Sequence, residues 1–133
     1  MSMLVERLKR EHVIIVDALN KTKEVGVGSK EGQDKLRSAR TALLAHLKTE
    51  DEQLYPVLKK EAEKNDSLKR TLDLFAREME TISTEALSFV DKYSNGGSGL
   101  EFARDFGRLY MNLSQRVRKE ENTLYSEYDK LHR

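Results

Sequence analysis

The segment "HLKTEDEQLYP", residues 46 to 56, is matched by "RVRKEENTLYS", residues 116 to 126, with an acidic pair, a leucine and a tyrosine in the same register. In the first segment His46 precedes Glu50 by four positions, which places two metal-ligand types on one face of a helix. In the second, Arg116 stands where the histidine would be, four positions before Glu120. The surrounding sequence decides what a cation is doing in that place.

Outward from His46, the residues Leu36, Ala39, Leu43, His46, Glu50 and Leu54 recur at three- and four-residue steps, the spacing of one helical face, with Pro56 kinking that helix or starting a new turn. Earlier in the chain Leu4, Leu8, His12, Ile15 and Leu19 form a similar stripe. A third stripe, following Asn65 and Asp66 as cap or turn residues, runs through Leu68, Leu72, Phe75, Met79, Ile82, Ala86, Phe89 and Tyr93. The fourth opens with Ser98 and Glu101 in capping-box spacing and continues through Phe102, Phe106, Leu109, Leu113, Arg116, Glu120, Leu124, Tyr128 and Leu131. The glycine-rich stretches "GVGSKEG" (26 to 32) and "NGGSG" (95 to 99) read as loops, and no stretch alternates as a strand would. Four amphipathic helices with short connections predict an all-α fold, an antiparallel up-down-up-down four-helix bundle formed by residues 1–133 as a single domain.

Composition narrows the partners. With 24 basic and 23 acidic residues the net charge is +1, too weak a field to recruit nucleic acid or anionic lipid. The longest apolar run, "VIIV" at 13 to 16, is far short of a membrane span, and "MSMLVERLKREH" lacks the apolar core of a secretory signal. There is no cysteine, so disulfides and thiolate ligands are excluded, and the expected location is cytoplasmic. No nucleophile motif or phosphate-binding loop is present: "NGGSG" joins two helices and lacks the lysine of a P-loop. Exposed faces rich in Lys and Glu advertise no large apolar interface, which leaves a protein partner and the oligomeric state open.

Four polar residues interrupt the apolar stripes. An ionised carboxylate inside a bundle is costly unless it is paired or binds a metal, so Glu50 and Glu120 call for a cation, and His12 and His46 supply two neutral nitrogens. Two imidazoles and two carboxylates suit iron, zinc or manganese. Taken singly, His12 is as well explained by a hydrogen-bonded core histidine, Phe75 and Met79 by packing, and His132, three residues after Asp129, by exposure. All four polar residues lie near the middle of their stripes, where an antiparallel bundle brings its helices to one level. No Glu-x-x-His of the ferritin-like type occurs.

The "REH" ending at His12, "HLKTEDEQLYP", and "RKEENTLY" in the last helix together resemble the hemerythrin-like HHE cation-binding family over nearly the whole chain. The resemblance implies a four-helix bundle around two bridged irons, held by five histidines and two carboxylates, in proteins that carry, store or sense oxygen, nitric oxide or iron. His12, His46, Glu50 and Glu120 match the ligands of one iron and the two bridging carboxylates. The three remaining ligand places, an HxxxH pair and one further histidine, correspond to Phe75, Met79 and Arg116. On this reading the second iron is lost, Arg116 puts a fixed charge near Glu50 and Glu120 in its stead, and Phe75 and Met79 fill its volume. The expected cofactor is at most one iron or other divalent transition metal. The expected role is a regulatory or sensory module, neither an enzyme nor a di-iron oxygen carrier. Two alternatives stand beside it: a metal-free interaction protein in which the same residues form a buried hydrogen-bonded network, and an iron-dependent oxidase built on a single 2-His-2-carboxylate site.

Overall fold

Six α-helical segments and two π-helical turns make up the fold in a computed structural model that describes residues 2–97 and 99–132. Helix α1 spans Met3–Val25, α2 Lys30–Thr49, α3 Tyr55–Ala62, α4 Asp66–Tyr93, α5 Gly99–Lys119 and α6 Tyr125–Leu131. One π turn, Glu50–Leu54, joins α2 to α3, and the other, Glu120–Leu124, joins α5 to α6. The second and fourth rods of the bundle are therefore α–π–α composites, which gives the four rods that the stripes predict. Among the described residues there is no strand, and no helix is long and apolar enough to cross a membrane.

The breaks fall where local chemistry sets them. Ser2, Ser29 and Asn65 cap α1, α2 and α4, each side chain accepting a hydrogen bond from the backbone N–H three residues on. Gly26, at φ 80°, closes α1 by donating its N–H to the Thr22 carbonyl. The capping box read from Ser98 and Glu101 lies outside the described residues at Ser98.

Both π turns start at a buried glutamate, and each closes with a tyrosine N–H donating to that glutamate's carbonyl, Tyr55 to Glu50 and Tyr125 to Glu120. Pro56 sits in the first turn of α3 and so starts a new turn rather than kinking a continuous helix. Ser126 holds the equivalent place in the fourth rod. Proline is thus not the common cause of the two turns; the shared feature is the inward glutamate, consistent with the frequent placing of π turns at functional sites.

Two apolar clusters fill the bundle. One contains Leu19, Leu36, Phe89 and Phe106; the other contains Leu8, Leu58, Leu72 and Leu124. Along each rod the polar residues fall between them: His12 between Leu8 and Ile15, His46 and Glu50 between Leu43 and Leu54, Arg116 and Glu120 between Leu113 and Leu124. On α4 the corresponding stretch between Phe75 and Ala86 holds Met79 and Ile82, both only half-buried.

The start of α2 packs closely against the preceding loop. A Cβ on Gly32 would lie 1.4 Å from the Gly26 carbonyl oxygen, whereas one on the exposed mid-helix Gly107 would meet nothing within 4 Å. Gly107→Ala should therefore raise stability by roughly 0.5–1 kcal/mol through helix propensity alone. Gly32→Ala should lower it by about 1–3 kcal/mol, because forced overlap outweighs that gain. Urea midpoints of the two variants check the opposite signs, and a Gly32→Ala protein as stable as Gly107→Ala would contradict the packing described.

Candidate metal centre

His12 projects from α1, His46 from the last turn of α2, and Glu50 and Glu120 from the first residues of the two π turns. All four are buried, Glu50 at 1% exposure and Glu120 at 3%. One donor atom from each lies within 4.8 Å of every other. His12 Nε2 is 3.3 Å from Glu120 Oε1, and His46 Nε2 is 3.5 Å from Glu50 Oε2. The four residues read from the sequence as ligands do come together, at the level that separates the two apolar clusters.

Each imidazole is held from behind. His12 Nδ1 lies 2.9 Å from Glu121 Oε2, and His46 Nδ1 lies 2.8 Å from Glu11 Oε1. A carboxylate behind Nδ1 fixes the ring with Nε2 toward the centre, the arrangement by which metal-binding histidines are oriented. Glu11 is itself anchored by Arg7 Nε at 3.1 Å, and Arg7 Nη2 reaches Thr49 Oγ1 at 3.5 Å. Glu11 and Glu121 lie beside the apolar stripes and not on them, so the helical period does not single them out. Their signal was adjacency: each neighbours a candidate ligand in sequence, and a side chain one position round the helix reaches the ligand on the next rod.

Tyr125, the tyrosine of the second "LY", also reaches the centre although its place near the stripe reads as packing. Its hydroxyl donates to Glu50 Oε2 at 2.8 Å and lies 3.1 Å from His12 Nε2, with its ring stacked on that of His12 at 15°. Burial, reinforced by the charges of Glu120 and Glu50, pushes the Tyr125 hydroxyl far above the usual phenol range.

The two carboxylates behave as a coupled pair. Burial and the negative charge of Glu50 push Glu120 well above the usual carboxylate range. Burial also acts upward on Glu50, but its polar contacts with His46, Glu120 and Tyr125 outweigh it and hold that group low. Burial acts downward on His46, but its contact and charge interaction with Glu50 outweigh it, and the group is raised. Two carboxylates buried this close cannot both ionise without cost, and a cation arriving between them relieves that cost.

The far side of the centre is built differently. Arg116, 3% exposed, stacks over the Phe75 ring at 4.5 Å, donates from Nη1 to the Phe75 carbonyl at 3.0 Å and from Nη2 to the Tyr55 hydroxyl at 3.2 Å. Its Nε is 3.9 Å from Glu120 Oε2, close enough to lower that carboxylate's pKa but without a hydrogen bond. The expectation that Arg116 neutralises both Glu50 and Glu120 therefore needs correction: it lies beside Glu120 alone, and Glu50 is served by Tyr125. Phe75 is buried, but Met79 is half-exposed and lines a groove of about 700 Å³ between α3 and α4 whose wall includes Leu47, Glu50, Tyr55 and Leu72. The volume expected to be filled by Phe75 and Met79 is filled by Phe75 and Arg116, with Met79 at its open edge. His132 is exposed at the end of α6, as expected.

The donor set fits a cation. His46 Nε2, Glu50 Oε1 and Glu120 Oε2 are buried without a hydrogen-bond partner, and each such atom costs about 1–3 kcal/mol if nothing satisfies it. Nitrogen and carboxylate oxygen without sulfur suit iron, zinc or manganese. Residues 3–128 match the family described as Hemerythrin HHE cation binding domain. No curated protein and no solved structure gives a significant match.

Removal of the Arg116 side chain takes a donor from the Phe75 carbonyl and from the Tyr55 hydroxyl and leaves a buried void beside Glu120. Arg116→Ala should lower stability by ~3–5 kcal/mol, the scale for breaking a buried charged contact. The exposed Arg118→Ala should stay within about 0.5 kcal/mol. Equal urea midpoints for the two variants would show that the guanidinium contributes nothing to the fold.

Proposed function

Since the chain belongs to the hemerythrin HHE cation-binding domain family, with residues 3–128 in the match, we propose that it is a one-metal member of that family acting as a regulatory or sensory module. His12, His46, Glu50 and Glu120 would hold a single transition metal ion, iron before zinc or manganese. The observation that carries this reading is the convergence of four buried donors, three of whose atoms have no hydrogen-bond partner, with both imidazoles oriented by Glu11 and Glu121.

The limit of one metal rests on Phe75, Met79 and Arg116 as former ligand positions of a second. A guanidinium stacked on Phe75 beside Glu120 opposes a second cation by charge and by volume. Reversible oxygen carriage of the di-iron type draws electrons from both metals, so we infer a different role. An iron ion would supply a redox-responsive, ligand-accepting centre. The protein's part is to fix the imidazoles through Glu11 and Glu121 and to hold the two carboxylates between apolar layers of the bundle. We place the protein in the cytoplasm, in keeping with its lack of cysteine.

A metal-free network is the second reading, favoured by the Tyr125 hydroxyl lying within hydrogen-bond distance of both Glu50 and His12 without any ion. It leaves the three orphaned atoms unexplained. Equilibrium dialysis against ferrous, zinc or manganous ion separates the two: the proposal requires saturation at one ion per chain, and no binding leaves the network reading. Two tightly held ions would overturn the assignment of Phe75, Met79 and Arg116. His46→Ala and Glu50→Ala should each weaken binding by at least about tenfold, and Glu11→Ala and Glu121→Ala by about 10–100-fold, since they orient the ligands. His132→Ala should leave it unchanged.

A further inference from the structure

We propose that Tyr125 is a fifth protein donor to the cation, binding it through its phenolic oxygen; this rests on the metal-binding reading above. The Tyr125 oxygen lies 2.8 Å from Glu50 Oε2 and 3.1 Å from His12 Nε2. Neighbouring donors around an ion with bonds of ~2.1 Å stand roughly 3.0–3.4 Å apart. The phenolic oxygen is thus spaced from two ligand atoms much as the ligand atoms are spaced from one another, at 3.3 and 3.5 Å.

Three further features support inner placement. Tyr125 is fully buried and its ring is fixed against His12, so the oxygen cannot turn away to solvent. Its oxygen lies within hydrogen-bond distance of one atom from each of two candidate ligands, Glu50 Oε2 and His12 Nε2, so it stands beside two of the four side chains that would hold the ion. The backbone also accounts for the position, since an α-helix carries residue i+5 about 140° round from residue i. The π turn opened by Glu120 adds a residue to that turn and brings Tyr125 to the same side as the glutamate.

Tyr55 occupies the matching place after Glu50, but its hydroxyl accepts from Arg116. The two related tyrosines therefore differ in use, Tyr125 facing the four-ligand locus and Tyr55 the arginine. On binding a ferric ion the Tyr125 O–H bond breaks, the proton passes to solvent, and the oxygen's electron pair forms the bond to the metal, with no change in oxidation state.

The test uses the full chain loaded with ferric ion from its citrate complex, with bound iron measured in parallel. Wild type and Tyr55→Phe should show a phenolate-to-iron charge-transfer band in the visible and resonance-enhanced phenolate vibrations, each in proportion to bound iron. Tyr125→Phe should lose the band entirely. Wild type that holds iron without the band shows that Tyr125 remains a phenol hydrogen-bonded to Glu50 and overturns the inference while leaving one-metal binding intact. A band that survives in Tyr125→Phe, or that disappears in Tyr55→Phe, likewise overturns it. Wild type that holds no iron fails the metal-binding reading itself. If Tyr125→Phe does not retain iron, wild type and Tyr55→Phe decide the matter, because among the described residues only these two tyrosines hydrogen-bond to the polar cluster.

Discussion

Two carboxylates taken out of water at mid-bundle set the terms for everything around them. Glu50 and Glu120 are almost wholly buried, and each ion removed from water costs several kcal/mol unless a cation, a proton or hydrogen-bond donors stand in for solvent. His46 and Tyr125 approach Glu50, burial and the charge of Glu50 favour the protonated form of Glu120, Arg116 lies beside Glu120, and the space between the donors suits a metal ion. Apolar clusters pack on either side of this level, so the polar contacts are made between the two layers of the core.

The two related segments show how one local geometry is put to two uses. Each rod carries a residue four before an inward glutamate, a π turn opened by that glutamate, and a tyrosine that closes the turn. With histidine in the first place, His46 joins the donor cluster. With arginine, the guanidinium turns away from the donors to the Phe75 ring, the Phe75 carbonyl and the Tyr55 hydroxyl. One substitution of a ring by a longer charged chain thus separates a half that offers lone pairs from a half that offers a positive charge. The half-buried Met79 on α4 belongs to the second half and lines the groove between α3 and α4.

The bundle was legible because its signal is periodic: apolar residues at helical steps, broken by two glycine-rich stretches, specify four rods and the faces they bury. His12, His46, Glu50 and Glu120 were legible because they violate that period, polar residues on apolar stripes. Glu11 and Glu121 violate nothing, being charged residues at partly exposed positions, and only the pairing of rods reveals that each stands behind a histidine of another. Tyr125 was hidden for the opposite reason, since a tyrosine near an apolar stripe reads as packing until its hydroxyl has a direction. The π turns were not read, although the unbroken four-residue steps from Arg116 through Glu120, Leu124 and Tyr128 overrun the 3.6-residue α-helical repeat and so carry their signal. Arg116 was recognised as buried, but its partners were misjudged: a guanidinium can stack on an aromatic ring and donate to a carbonyl as readily as it pairs with a carboxylate, and the sequence does not rank those choices.

The central claim is that this bundle keeps one cation locus and has replaced the other with Phe75 and Arg116. Crystals grown with zinc or iron and measured across the metal's absorption edge locate the ion directly. The account predicts a single internal anomalous peak, bounded by His12 Nε2, His46 Nε2, Glu50 and Glu120. A second internal peak beside Phe75 and Arg116, or peaks confined to surface carboxylates with none among those four side chains, would contradict it.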